Sequence, residues 1–262
     1  MIGLGGIFVF IVIAVIGPLL TSETYLAMDL PHRLVPPTID HLFGTDQFGR
    51  DLLARVIHGS RVSLLVGVVS TLIGTVAGIA IGALSGFVGG WVDEVIMRLL
   101  DIVLAFPQIV LAIALAAVLG PSLSNVILIV GLLQVPRFAR VVRGSVLSIK
   151  NAEYVVAARV IGLQELRILV QHVVPNTLGP VLVLASLAIP EAITAEAALS
   201  FLGLGVQPPE PSWGNLLSDG RQYLLQAPWL ATFPGLAITI VVLAFNFVGD
   251  GLRDALDPRA AR

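Results

Sequence analysis

Two stretches of this chain, Val62 to Val92 and Ile102 to Pro136, contain no charged side chain at all. Each exceeds the roughly 20 apolar residues that cross a bilayer as a helix, so each must fold back or break. Composition agrees: 56% of the 262 residues are hydrophobic and only 12% are charged, against about one quarter charged in soluble domains. The mean hydropathy is +0.96. These values predict an all-α polytopic membrane protein. The net charge of −2 gives no bulk field to attract nucleic acid. The absence of cysteine excludes disulfides, thiolate metal sites and a cysteine nucleophile. The 26 glycines and 16 prolines suit membrane helices, where neighbouring helices re-satisfy the backbone.

Six spans are expected. Ile2 to Leu20 is long enough for the first. A cleaved signal peptide is the competing reading, but no Lys or Arg precedes Arg33, and Gly17-Pro18 is followed by bulky Leu19-Leu20. A polar, proline-marked loop follows. It closes with Leu52, Leu53, Val56 and Ile57 set against Arg50, Asp51, Arg55 and His58, the pattern of a short amphipathic helix on the membrane surface. Residues 1–61 thus form a first span with an extracytoplasmic loop, and 62–262 form a five-helix domain. The second span, 62–86, carries Ser70, Gly74, Gly78, Gly82 and Gly86 every fourth residue, a flat ridge for close helix approach. It serves packing, or else a sliding seam. Asp93, Glu94, Arg98 and Asp101 read as a polar connection. Spans at 102–119 and 123–141 follow, divided at Gly120-Pro121, with Pro107 kinking or delaying the former. Arg137, Arg140 and Arg143 crowd the end of the latter, where cations suit a helix C-terminus. The last spans are 177–199 and 229–249, with Trp213 and Trp229 placed as interface anchors.

Six spans put both termini on one side. With that side inward, the inner segments hold ten Lys or Arg and the outer loops, of nearly equal total length, hold five. This bias predicts cytoplasmic termini and turns Glu153 to Asn176 to the cytoplasm. Asn151 is a suitable N-cap there, with Glu153 in the first helical turn. Tyr154, Ala157, Ala158 and Ile161 share a low face, and Gly162 ends the helix with a left-handed cap. A second helix places Leu163, Leu166, Leu169, Val170 and Val173 on one side and Gln164, Glu165, Arg167, Gln171 and His172 on the other. Ile168 is stranded among the polar residues. Pro175 is expected to end this helix, and Asn176 or Thr177 to cap the next.

Glu153, Ala157, Ala158, Gly162 and the Pro175-Asn176 exit resemble the EAA loop of ABC importer permeases. The segments FGTDQFGRDLLARVIHGSRVSL (43–64), LSFLGLGVQPPEPSWGNLLSDGR (199–221) and GDGLRDALDPR (249–259) look like those of the second permease subunit of dipeptide, oligopeptide and nickel importers. This resemblance covers residues 41–259. It implies a type I ABC importer permease (MetI-like) fold in a bacterial cytoplasmic membrane and a heterodimer with a homologous permease. It also implies two cytoplasmic ATPases docked on coupling helices and an extracytoplasmic binding protein. Glu153, Tyr154, Ala157, Ala158, Gly162, Ile168, Pro175 and Asn176 become the expected coupling residues. Such subunits usually begin with a basic cytoplasmic tail, whereas Met1 here opens directly onto the first span. No phosphate loop ending in Gly-Lys-Ser/Thr occurs, so this chain is not expected to bind or hydrolyse ATP; no cofactor or metal is expected either.

Glu191 and Glu196 fall inside the fifth span, where a charge costs roughly 2.5–3.5 kcal/mol on insertion scales. Glu191 could touch a charged peptide terminus or a cation in the passage, or pair with a polar group of the other subunit. Glu196, near the outer boundary, is expected to pair with a polar group of the other subunit. An ion-coupled secondary transporter is the alternative function, with both glutamates as coupling carboxylates; no internal repeat favours it. No HExxH or GxSxG motif or buried Ser/His/Asp grouping suggests an enzyme, and His32, His41, His58 and His172 all lie in polar segments.

Overall fold

The computed structural model describes residues 2–21 and 25–256. Helices carry the fold, and no strand forms among the described residues beyond an isolated bridge between Thr45 and Asp51. Helix α1 covers Ile2–Leu20. After a short 3₁₀ turn at Leu30–His32 the chain enters α2, Leu52–Val88. Asp51 caps α2 through a carboxylate oxygen that accepts the Ala54 N–H at 2.8 Å. The expected surface helix and second span are therefore one helix of 37 residues, which runs across the 61/62 division. The apolar side of its first turns packs on protein. Leu52 and Val56 are buried in a cluster with Ile193, Trp213 and Leu230, so protein takes the place expected for lipid.

Gly89, at φ 72°, stops α2, and α3 begins at once as Gly90–Leu104. The expected polar connection at 93–101 is thus helical. Helix α4, Gln108–Leu119, is turned 86° from α3. Pro107 is the cause: it lacks an N–H and disfavours helical dihedrals in Phe106. The third span expected at 102–119, with Pro107 kinking or delaying it, straddles this bend: its first residues end α3 and the rest form α4. Helix α5, Leu123–Ile149, starts on a Ser122 cap and continues well past residue 141. Arg137, Arg140 and Arg143 consequently sit inside α5 and not at its end.

The chain then forms α6 (Glu153–Val160) and α7 (Glu165–Ile168), a π-turn (Leu169–Val173), and α8 (Val174–Phe201). Helices α9 (Trp213–Arg221) and α10 (Trp229–Leu256) complete it. The tail motif from residue 257 onward lies outside the described residues. Among the described residues four helices are long and apolar enough to cross a membrane, or five if the bent α3–α4 pair is one span.

The glycine ridge of α2 packs on α5. Ser70 Oγ donates to the Ile127 carbonyl at 3.0 Å, and Gly74, Gly78, Gly82 and Gly86 are buried along the seam. At the opposite end of the bundle from α6, the polar motifs build a lid of packed loops. Asp46 bonds Arg50 Nε at 2.7 Å, and both side chains are buried. Trp213, expected as an interface anchor, is instead fully buried, and its Nε1 donates to the Val56 carbonyl at 3.0 Å. Trp229 is half-buried, with its Nε1 3.4 Å from the Thr45 carbonyl.

Candidate functional site

Two features stand out as candidate sites: an exposed helical elbow at one end, and a cavity between α4, α5 and α8. In the elbow Ala152, not Asn151, occupies the N-cap of α6, and no side chain caps it. Glu153, Tyr154 and Ala157 are exposed, while Ala158 is buried beside Val155. Gly162 adopts φ +85° with open space around it, and the next N–H, of Leu163, bonds back to the Ala158 carbonyl at 3.1 Å. This is the predicted left-handed stop.

Further elbow expectations fail. Pro175 does not end a helix; it lies in the first turn of α8, where its missing N–H is tolerated, and residues 165–201 run on as one long helix through the π-turn. Asn176 does not cap either: its side chain donates to the His172 carbonyl at 2.7 Å, and Thr177 Oγ1 donates to the Val174 carbonyl. Ile168 is fully buried with Leu169 and Val173 against Phe138, Val142 and Val155. The wheel misplaced it because Leu163 precedes the helix, which begins only at Glu165, and because apolar residues lie on both sides. The outward apolar positions are Val160, Ile161 and Leu166, 81%, 76% and 72% exposed.

The elbow is tied to the bundle. Arg159 Nε bonds Glu165 at 3.0 Å, joining α6 to α7, and its guanidinium lies over the Phe87 ring. Lys150 Nζ donates to the Gly86 carbonyl at 2.9 Å. Helix α7 runs on into α8 with no intervening loop.

The larger cavity, of about 590 Å³, is lined by α4, α5, α8 and α10 and includes Gln108, Gln134, Glu191, Thr194 and Asn246. A second, of about 270 Å³, shares Gln108, Leu133, Gln134 and Glu191 and adds Arg137 and Arg140. Arg137 Nη1 meets Glu191 Oε2 at 2.5 Å. Arg140 pairs with Asp101 at 2.5 Å, and Arg143 grips Asp93 through two contacts of 2.6 Å. The three arginines, three residues apart on one face of α5, thus tie it to α8 and α3. Sequence reasoning missed this ladder, although the spacing of arginines and the carboxylates of α3 were both visible.

Glu196 lines neither of these cavities. It is fully buried, and its carboxyl oxygens accept from Ser200 Oγ at 2.7 Å and Ser63 Oγ at 3.1 Å. Its partners lie within its own chain and not on another subunit. Ser63 Oγ also accepts the Trp213 N–H at 3.3 Å, so this knot joins α2, α8 and α9.

Residues 78–262 match the family of binding-protein-dependent transport system inner membrane components. The chain belongs to this family. It is an ABC importer permease, a translocation subunit. It is 48% identical to the dipeptide transport system permease protein of Alkalihalophilus pseudofirmus, over 95% of this chain and 82% of that one. It is 42% identical to the probable D,D-dipeptide transport system permease protein of Escherichia coli, over 97% and 85%. The glutathione transport system permease protein of Pectobacterium atrosepticum shares 45% identity over 85% and 74%. Among solved structures, the inward-facing MetNI methionine ABC transporter matches with a TM-score of 0.63 at 19% identity, covering 79% of this chain and 98% of that one. That likeness carries the MetI-like fold to this permease, whose multi-pass character its apolar helices also show.

Proposed function

We propose that this permease moves di- or oligopeptides, or a related small solute such as nickel, into the bacterial cytoplasm by alternating access, driven by two separate ATPases that dock on the α6–α7 elbow. The observation that carries this reading is the elbow itself. It presents Tyr154, Ala157, Val160, Ile161 and Leu166 outward on a polar end of the bundle and is continuous with α8, which lines the cavity. Exposed apolar side chains on a short, braced helix pair suit insertion into a groove of a partner. ATPase closure would then press on the elbow and rock α8 and α5 between two openings.

Further parts of the assembly follow from this reading. A homologous permease subunit would complete the passage on the open side of the cavity, and an extracytoplasmic binding protein would deliver solute to the opposite end. With six spans, the Lys/Arg bias supports both termini in the cytoplasm. Peptide cargo rests on relatives named for dipeptide, D,D-dipeptide and glutathione transport. The test is a cysteine at Ile161: it should crosslink to an ATPase subunit in membranes. Reaction only with reagents outside the cell would overturn the orientation and the docking role together.

A further inference from the structure

Charges at membrane depth need a reason. Arg137 lies about 20 Å along α5 from Leu123, and Glu191 about 25 Å along α8 from Val174, so neither is near a helix end. Their side chains are half exposed in the single chain, although each would pay heavily to face lipid. They face cavity instead: Glu191 lines both chambers and Arg137 the smaller. The walls around them are mostly apolar, with Ile109, Val130, Leu133 and Leu187 among them, and the larger chamber falls within the ~300–1,000 Å³ range of small-molecule pockets. Gln134 lines both chambers, and neither its Oε1 nor its Nε2 has a partner.

We propose that Arg137 and Glu191 read the charge pattern of the solute in the passage: they clasp each other when it is empty and part to bind the carboxylate and ammonium of a zwitterionic short peptide. This rests on the peptide-import reading above. One ion pair exchanged for two leaves no charge uncompensated in a low-dielectric wall. The apolar lining accommodates varied side chains. A bare metal cation would take Glu191 and strand Arg137, so the pair selects against it. The other two rungs bind α5 to α3, and their carboxylates, Asp101 and Asp93, line neither of these chambers.

The test uses the assembled importer with its ATPases and binding protein in proteoliposomes, and labelled dialanine as probe. Peptide moved per ATP hydrolysed should fall at least about tenfold in Arg137→Gln and in Glu191→Gln, the loss expected for a charged hydrogen bond. The reversed pair, Arg137→Glu with Glu191→Arg, keeps an ion pair between α5 and α8 and should remain equally poor. Wild-type yield from the reversed pair would overturn the proposal and leave peptide import standing. A wild-type importer that carries nickel but no dialanine would overturn this proposal and the peptide arm of the import reading together, leaving the nickel arm.

Discussion

Gly78 on α2 stands against Phe138 on α5 with no room between them: a Cβ on the glycine would come within 2.3 Å of the phenylalanine Cβ. One turn on, a Cβ at Gly82 would come within 2.3 Å of the Ala139 carbonyl oxygen. The seam is set by absent side chains, which is how helices approach closely without a hydrophobic drive from water.

Gly78→Ala and Gly82→Ala should each destabilise the solubilised permease by about 1–3 kcal/mol, the usual cost of overpacking. Gly144→Ala, inside α5 with nothing near its missing Cβ, should not destabilise, since helix propensity favours alanine there by roughly 0.5–1 kcal/mol. Thermal unfolding in detergent compares the three, and equal midpoints would show that the seam gives way freely.

At Gly162 the penalty has a different origin. Space is open there but φ is +85°, so Gly162→Val should cost roughly 1–2 kcal/mol through the backbone alone and misalign α6 with α7. Uptake should fall while membrane insertion persists. Normal uptake in this variant would count against the elbow's role in coupling.

Cysteine labelling separates the two faces of the elbow. In the isolated permease a thiol at Ile161 should react rapidly with a water-soluble maleimide, and one at Ile168 only after unfolding, since Ile168 is fully buried. Comparable rates at both positions would contradict the packing of α7 on α5.

Removing the Glu196 carboxyl leaves the hydroxyls of Ser63 and Ser200 without their acceptor. Glu196→Ala should cost about 1–3 kcal/mol, the penalty of orphaned buried groups, and Glu196→Gln less, because an amide oxygen still accepts. Unfolding midpoints of the two variants check the order.

Asp219, in α9 outside the spans, has its carboxyl pushed above the ordinary range by burial, with Arg55 and Arg50 pulling the other way. A raised acid is protonated more readily in the folded state than in the unfolded one. Its contribution is therefore complete below the ordinary value of 3.8 and is lost as pH rises through the higher folded-state value. The unfolding midpoint should lose this increment above about pH 4, and Asp219→Asn should remove that part of the pH dependence. An unchanged profile would refute it.

Hydropathy, turn residues and charge spacing determined what they physically could. Apolar runs with internal breakers identify a helical membrane protein, a four-residue glycine repeat identifies a close-packing face, and Gly162 identifies a left-handed stop. These depend on local sequence and on the bilayer as solvent. Whether an apolar side chain faces lipid, core or partner depends on what lies opposite, and only the tertiary structure decided it. Leu52 and Val56 read as a membrane-surface stripe yet pack on Trp213 and Leu230. Ile168 reads as stranded yet fills the junction of α5 and α7, and Leu166, counted with the buried stripe, points outward. The charges followed the same rule: Arg137 found Glu191 54 residues away, because helix pairing across the bundle, and not spacing along the chain, brings an arginine to its carboxylate.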